Sequence, residues 1–323
     1  MPIDSSAVQA MTAAADLVIG ETLLHGSPAM SNPPRTEVGL VASIVLSSVQ
    51  RITQEWSPIL ASIGYGLKLS GVFCHAAPMV RFWHPSSARK ETECELADLL
   101  VVVDVLHQSG GVERSASLVQ AKMASRATRV TFGGKSSPRQ LHLYQNWPAF
   151  SFADAVYGTR IFNLQPTCGE DAGTFGVIDR HLKNTAIEPP IWTQHQALPT
   201  PSAITTEPTL GKFVANMIGQ TGLNYGRRAI ENGADDWSAV VDLLMKVTYG
   251  KVFRHKPTLG NHAVARGATG IAFLQAAPQG VYALVESGGP PPPIEGVELI
   301  DDDDPGGMSV LRIVVAETGD GGG

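Results

Sequence analysis

The residues best placed to do chemistry are Gln120 and Lys122, in SLVQAKMA over residues 117 to 124, together with Asp98 and Glu37. SLVQAKMA reads as an extended, half-buried run, and strands have a side-chain period of two, so Gln120 and Lys122 share one face. Upstream, ADLLVVVDV reads as another strand, and between the two lies HQSGGVERS, where Gly110-Gly111 suits a hairpin turn. A turn centred on those glycines makes antiparallel partner numbers sum to about 221, which sets Asp98 within one position of Lys122. A carboxylate, an amide and an ammonium then converge at one end of the hairpin. Singly, an Asp-Lys pair there is a surface salt bridge worth under about 1 kcal/mol, and Gln120 is an edge-strand polar residue. Together they form a polar cluster able to bind and stabilise charge.

The elements that must position this cluster are legible in outline. From Thr36, residues Val38, Val41, Val45, Val49 and Ile52 recur at intervals of three and four, which predicts a helix with Thr36 as N-cap and Glu37 in its first turn. A linker rich in Gly and Ser follows. PMVRFW, ADLLVVVDV and ASLVQAKMA are then expected as a three-strand antiparallel meander. QLHLYQNW reads as a helix, and the segment to Phe162 as a strand. Residues 164 to 208, rich in Pro, Thr and Gly, are expected to be mostly loop. LGKFVANMIGQ and DDWSAVVDLLMKVTY read as helices, the second capped by Asp236; VYALVES and MSVLRIVVAE read as strands that pair together or extend the first sheet.

A helix carrying a Glu, an Asp opening one strand, a turn, and (Glu or Gln)-x-Lys on the next strand resembles the PD-(D/E)XK nuclease superfamily, of restriction-endonuclease-like fold. The matching residues are Glu37, Asp98, Gln120 and Lys122, with Ala121 as the x, and the resemblance covers roughly residues 36 to 165. Ala97 stands where the family's name has Pro, and Gln120 where the strongest form of the motif has an acid. The resemblance implies an α/β (α+β) fold with a mixed central sheet flanked by helices and a mainly helical C-terminal extension. With the patterning above, the chain divides into an N-terminal arm (1–35), a nuclease-like core (36–165), a loop-rich connection (166–208) and a helical region with C-terminal strands and an acidic, Pro-rich loop (209–323).

It also implies Mg²⁺ or Mn²⁺ as cofactor and DNA as substrate. Mg²⁺ takes oxygen ligands, typically one or two carboxylates with waters. Asp98 would be the main ligand, Gln120 would lend its carbonyl oxygen, and Glu37 would bind directly or through water, with Glu95 as its substitute. Lys122 would orient the attacking water and stabilise the transition state. The basic residues Arg126, Arg129, Lys135 and Arg139 follow Lys122, and Arg227 and Arg228 follow a Gly turn; these are the expected phosphate contacts. Tyr144 and Trp147 lie beside them, with Trp147 expected in the core. The activity implied is an endonuclease in host defence against foreign DNA. The alternative is a catalytically inactive nuclease-fold subunit that binds nucleic acid or serves assembly.

Composition sets the frame. The chain has 323 residues, 43% hydrophobic and 17% charged, with a net charge of −6, so its sum does not favour a polyanion. The distribution is uneven: no acidic residue lies between Arg114 and Ala153, whereas Asp301 to Asp304 form an acidic block after Pro290 to Pro293. Three scattered cysteines, Cys74, Cys94 and Cys168, do not make a disulfide framework. With no basic n-region and no long apolar run, a cytoplasmic protein without a membrane segment is expected. No G-x-x-x-x-G-K-[ST] loop is present, so unwinding DNA would need a separate ATPase or helicase; self-association into a homo-oligomer is compatible with all of this. No C-x-x-C pair supports zinc and no G-x-S-x-G elbow supports a serine hydrolase.

Overall fold

In the computed structural model, residues 3–25, 36–74, 78–85, 91–124, 137–165, 172–179, 192–196, 208–219, 225–255, 271–277, 280–282 and 307–318 are described. Helix α1 (Ser5–His25) comes first. The sequence reading made residues 1–35 a loose arm, but α1 is anchored: Met11 and Leu23 are fully buried, and Trp56 Nε1 donates to the Met11 carbonyl at 2.8 Å. Hydrophobic residues lie on most of its circumference, so no single apolar stripe marked it as a helix. By length and composition it could cross a membrane, but about half of its apolar window is buried in the protein, including Met11, Val18 and Leu23.

Thr36 opens the next helix as expected, its Oγ1 accepting from Gly39 N at 3.1 Å. The helix runs as α2 (Glu37–Ser43), a π turn (Ile44–Ser48) and α3 (Val49–Ala61). The supposed linker that follows is strand β1 (Tyr65–Cys74), buried along most of its length. Next come β2 (Met79–Phe82), β3 (Thr92–Glu95), β4 (Leu99–Leu106), β5 (Val112–Ala124), α4 (Ser137–Asn146), β6 (Phe150–Phe152), β7 (Ile161–Phe162), β8 (Gly173–Asp179), β9 (Trp192–Gln196), α5 (Leu210–Gly219), β10 (Arg227–Ala229), α6 (Asp236–His255), β11 (Ile271–Ala277), β12 (Gly280–Tyr282) and β13 (Ser309–Glu317).

The expected three-strand meander does not form. PMVRFW supplies β2 to a separate antiparallel sheet of order β3-β2-β6-β7, while β4 and β5 lie in a mixed nine-stranded sheet. Its order is β12-β11-β1-β13-β4-β5-β8-β9, with β10 also paired to the start of β5. The pairs β13/β4 and β5/β8 are parallel, and the others antiparallel. Two strands therefore come from residues 164–208, a region expected to be mostly loop. Their glycines serve packing: a Cβ on Gly176 would lie 2.6 Å from Trp192 Nε1.

Residues 209–323 contribute α5, α6 and four strands, and β13 sits inside the sheet, between β1 and β4. The cap of α6 is Asp235, whose Oδ1 accepts from Ser238 N at 3.0 Å, not Asp236, which instead takes Asn163 N and pairs with Arg160. Both faces of the main sheet are covered. Leu99, Val101, Val103 and Val119 pack with α1, α2, α3 and α5 on one side; Leu100, Val102, Leu118 and Val310 pack with the small sheet, α4 and α6 on the other. That double burial explains the nearly unbroken apolar sequence of β4.

Candidate active site

The β4–β5 hairpin is antiparallel as expected, but its register differs. Leu99 pairs with Val119 and Leu106 with Val112, so partner numbers sum to 218 instead of 221. The turn spans His107 to Gly111, closed by His107 N to Gly111 O at 2.9 Å and Gly110 N to His107 O at 2.9 Å, and Gly110 takes φ +85°. The turn is therefore centred before the Gly-Gly pair, and each partner shifts accordingly. Extending the ladder places Asp98 opposite Gln120, and Lys122 beyond it on the same face.

Strand β5 outruns β4 at this end, because β4 begins at Leu99, opposite Val119. The backbone N–H groups of β5 past that point have no strand to bond on the β4 side, and two carboxylates take them. Asp98 Oδ2 accepts from Ala121 N at 2.7 Å, and Glu37 Oε1, brought in by α2, accepts from Met123 N at 2.8 Å. Leaving such groups bare would cost about 1–3 kcal/mol each. The same two contacts that finish the strand bring Glu37 and Asp98 to either side of Lys122.

Gln120 is 1% exposed and is held at both ends of its amide. Its Nε2 donates to Asp98 Oδ2, while its Oε1 accepts from Gln140 Nε2 of α4 at 2.9 Å. Gln140 also donates to Glu95 Oε2 at 3.4 Å, so a chain of two amides runs from Glu95 to Asp98. The carbonyl oxygen that Gln120 was expected to lend to an ion is thus taken by Gln140, and its amide nitrogen faces Asp98. Gln140 Oε1 is buried and has no hydrogen-bond partner among the described residues. Tyr144, one turn further along α4, donates to the Leu96 carbonyl at 2.7 Å and is buried.

Half-buried Asp98 has its carboxyl pushed up to about 7, first by loss of solvent and then by the charge of Glu95, with Glu37 adding to it; Lys122 and the Ala121 N–H pull the other way. The influence of Glu95 exceeds that of Glu37. Glu95, expected as a substitute for Glu37, ends β3 in the small sheet, and Leu96-Ala97 carry the chain across to β4. Among the described residues none accepts a hydrogen bond from Lys122.

The structure thus gathers Glu37, Asp98, Gln120 and Lys122 at one strand end, with Glu95 close by. Arg126, Arg129 and Lys135 lie outside the described residues. Arg139, on α4, donates to the Glu93 carbonyl at 3.1 Å near the small-sheet edge. Arg227 and Arg228 pair with Ala116 and Ser115, roughly 20 Å along β5 from Lys122 at the usual strand rise. Trp147 is in the core, stacked on Tyr144 with ring centroids 5.2 Å apart. The residue that sequence reasoning passed over is Gln140; its place on a helix following the Gln-x-Lys strand was visible, but not its inward aim.

The site's donors are oxygens, which suits a hard cation such as Mg²⁺ or Mn²⁺. Among the described residues no three His, Cys, Asp or Glu side chains converge as a ready set of ligands. The fit is to an ion with one direct carboxylate, Asp98, the others acting through water. No family model, no curated protein and no solved structure matches the chain.

Proposed function

We propose that this protein is a metal-dependent nuclease with a restriction-endonuclease-like core, hydrolysing DNA phosphodiester bonds in the cytoplasm. The observation that carries this reading is the meeting of four residues from three separate segments: Asp98 bonded to Gln120, Lys122 on the same strand face, and Glu37 bonded to the next backbone N–H, that of Met123. Helix α4, which follows β5 in the chain, supports the same reading by setting Gln140 against Gln120 and Tyr144 against the Leu96 carbonyl.

Asp98 would hold Mg²⁺, with Glu37 and Glu95 contributing through water. The ion would supply positive charge against the phosphate oxygens. Lys122 orients the attacking water by hydrogen bonding and offsets the charge that grows on the phosphate; its lack of a described acceptor leaves its protons available. Gln120 fixes the Asp98 carboxylate in place, and Gln140 fixes Gln120. The enclosed, carboxylate-rich surroundings that push Asp98 up make it a weak anion when no cation is present and a strong ligand when one is.

One observation favours a second reading, a catalytically silent nuclease-fold subunit that binds nucleic acid or serves assembly: Gln120 and Ala121 both donate to Asp98 Oδ2, which they would compete for with an ion. Incubating the protein with plasmid and Mg²⁺, beside Asp98→Ala and Lys122→Ala, separates the two. The nuclease reading expects cleavage by the wild-type chain and none by either variant. Equal cleavage by all three would refute the site, and a wild-type chain that neither cuts nor binds Mn²⁺ would leave the silent subunit.

A further inference from the structure

Glu37 reaches β5 because the helix that carries it is not a plain α-helix. Residues 37–61 form one continuous rod, interrupted by the π turn at Ile44–Ser48, and its flanking residues keep right-handed helical angles: Ser43 at φ −60°, ψ −42° and Val49 at φ −55°, ψ −50°. A π turn holds one residue more than an α turn. Residues before it are therefore rotated by about 100° relative to those after it, compared with an unbroken helix. The α3 side is pinned by Val49, Ile52, Trp56 and Leu60 in the core. The π turn consequently decides which way Glu37 faces.

Two residues make that turn possible. Gly71 of β1 lies directly beneath it: a Cβ there would sit 1.6 Å from the Val45 carbonyl oxygen and 3.1 Å from Val49 Cγ2. Any side chain would lift the rod from the strand. Ser48 Oγ donates to the Ile44 carbonyl at 2.5 Å, serving an oxygen whose usual i+4 partner a π turn moves away. Beyond the turn, Thr36 caps the rod and Glu37 meets Met123 N.

We propose that the π turn at Ile44–Ser48, seated on Gly71, is the element that aims Glu37 at the site, with Gly71 and Ser48 as positioning residues. Without the extra residue, Glu37 swings about a quarter turn around the rod, the Met123 N–H loses its acceptor, and the site loses a carboxylate. The catalytic weight of this device rests on the nuclease reading; the aiming itself does not.

The test is amide hydrogen exchange at Met123 in the full chain. Deleting Ser47, which restores the α period, and Glu37→Ala are expected to speed Met123 exchange equally, and the double variant no further. Ser48→Ala is expected to speed it several-fold. Ser57→Ala removes the same kind of bond, to Thr53 O at 2.5 Å, outside the π turn, and is expected to leave Met123 unchanged. Protection of Met123 in a folded Ser47 deletion overturns the proposal. If that deletion does not fold, the Ser48 and Ser57 variants decide, and equal effects from both overturn it. Plasmid cleavage is scored separately, so loss of the nuclease reading and loss of this one give different results.

Discussion

Gln120 holds Asp98 by its amide nitrogen and is itself held through its oxygen by Gln140, at 2.9 Å. The polarity of this chain means that Asp98 is stabilised as an acceptor, while the carboxylates around it oppose its charge. The site is a tensioned arrangement that a proton or a cation relaxes.

Gln120→Glu tests that arrangement. A second carboxylate facing Asp98 is expected to lower stability by about 1–3 kcal/mol at pH 8 without divalent ions. Added Mg²⁺ or Mn²⁺ is expected to raise the melting temperature of this variant more than that of the wild type. Thermal melts with and without Mg²⁺ check it; a Gln120→Glu protein indifferent to the ion would remove the metal from the site.

Asp98 also predicts a pH dependence. Its carboxyl lies near 7 in the folded protein against an ordinary 3.8, so the folded state binds the proton more tightly than the unfolded state does. The contribution of Asp98 to stability is full below about pH 4 and is lost as pH rises through 7, a change of order 2–4 kcal/mol. Asp98→Asn keeps the shape without the charge. Urea unfolding across this range should show a flatter profile for Asp98→Asn than for the wild type; parallel profiles would contradict the assignment.

Gln140→Leu should leave the Gln120 oxygen buried without a donor, at a cost of about 1–3 kcal/mol. Chemical denaturation measures this. The same variant is expected to reduce plasmid cleavage by loosening Gln120, with Gln140→Leu folded by circular dichroism.

A second buried group on the same sheet face makes a purely structural prediction. Asp104, fully buried, receives Arg114 Nε at 2.6 Å and Arg312 at 2.6 Å, and Arg114 also meets Asp242 at 3.1 Å. Asp104→Ala would leave buried Arg114 with Asp242 and Glu231 alone and Arg312, one-third exposed, without this carboxylate, and is expected to lose about 3 kcal/mol. Replacing Asp104 and Arg114 together by Leu and Met should lose less. Urea midpoints of the single and double variants compare the two.

The parts of the fold legible in sequence were those with a single dominant cause. Val38 to Ile52 read as a helix because apolar residues recur at helical spacing, although the π turn breaks the stripe and residues 39–46 are all buried, and ADLLVVVDV read as a strand because both faces are buried. Asp98, Gln120 and Lys122 were named from the hairpin and Glu37 through the family resemblance, and they meet at one strand end; Thr36 was named as a cap and is one. What was hidden depended on partners distant in sequence. Gly71 and Gly176 read as loop residues, whereas each makes room for a neighbour: the Val45 carbonyl in one case, Trp192 in the other. The hairpin register was missed because the turn closes on His107 to Gly111, a geometry that Gly-Gly alone does not specify. PMVRFW carries no sign that its partners are β3 and β6, and α1 has no polar face to reveal it.

The place of β13 bears on how the protein is made. Strand β4 ends at Leu106, yet its parallel neighbour starts at Ser309, so the ribosome adds roughly two hundred residues before the two can meet. Until then β1 and β4 both present open edges, rich in Val and Leu, beside the hairpin that carries Asp98. A half-built sheet of this kind is open to pairing with neighbours on the polysome, so the yield of the chain is expected to respond to chaperone supply and translation speed.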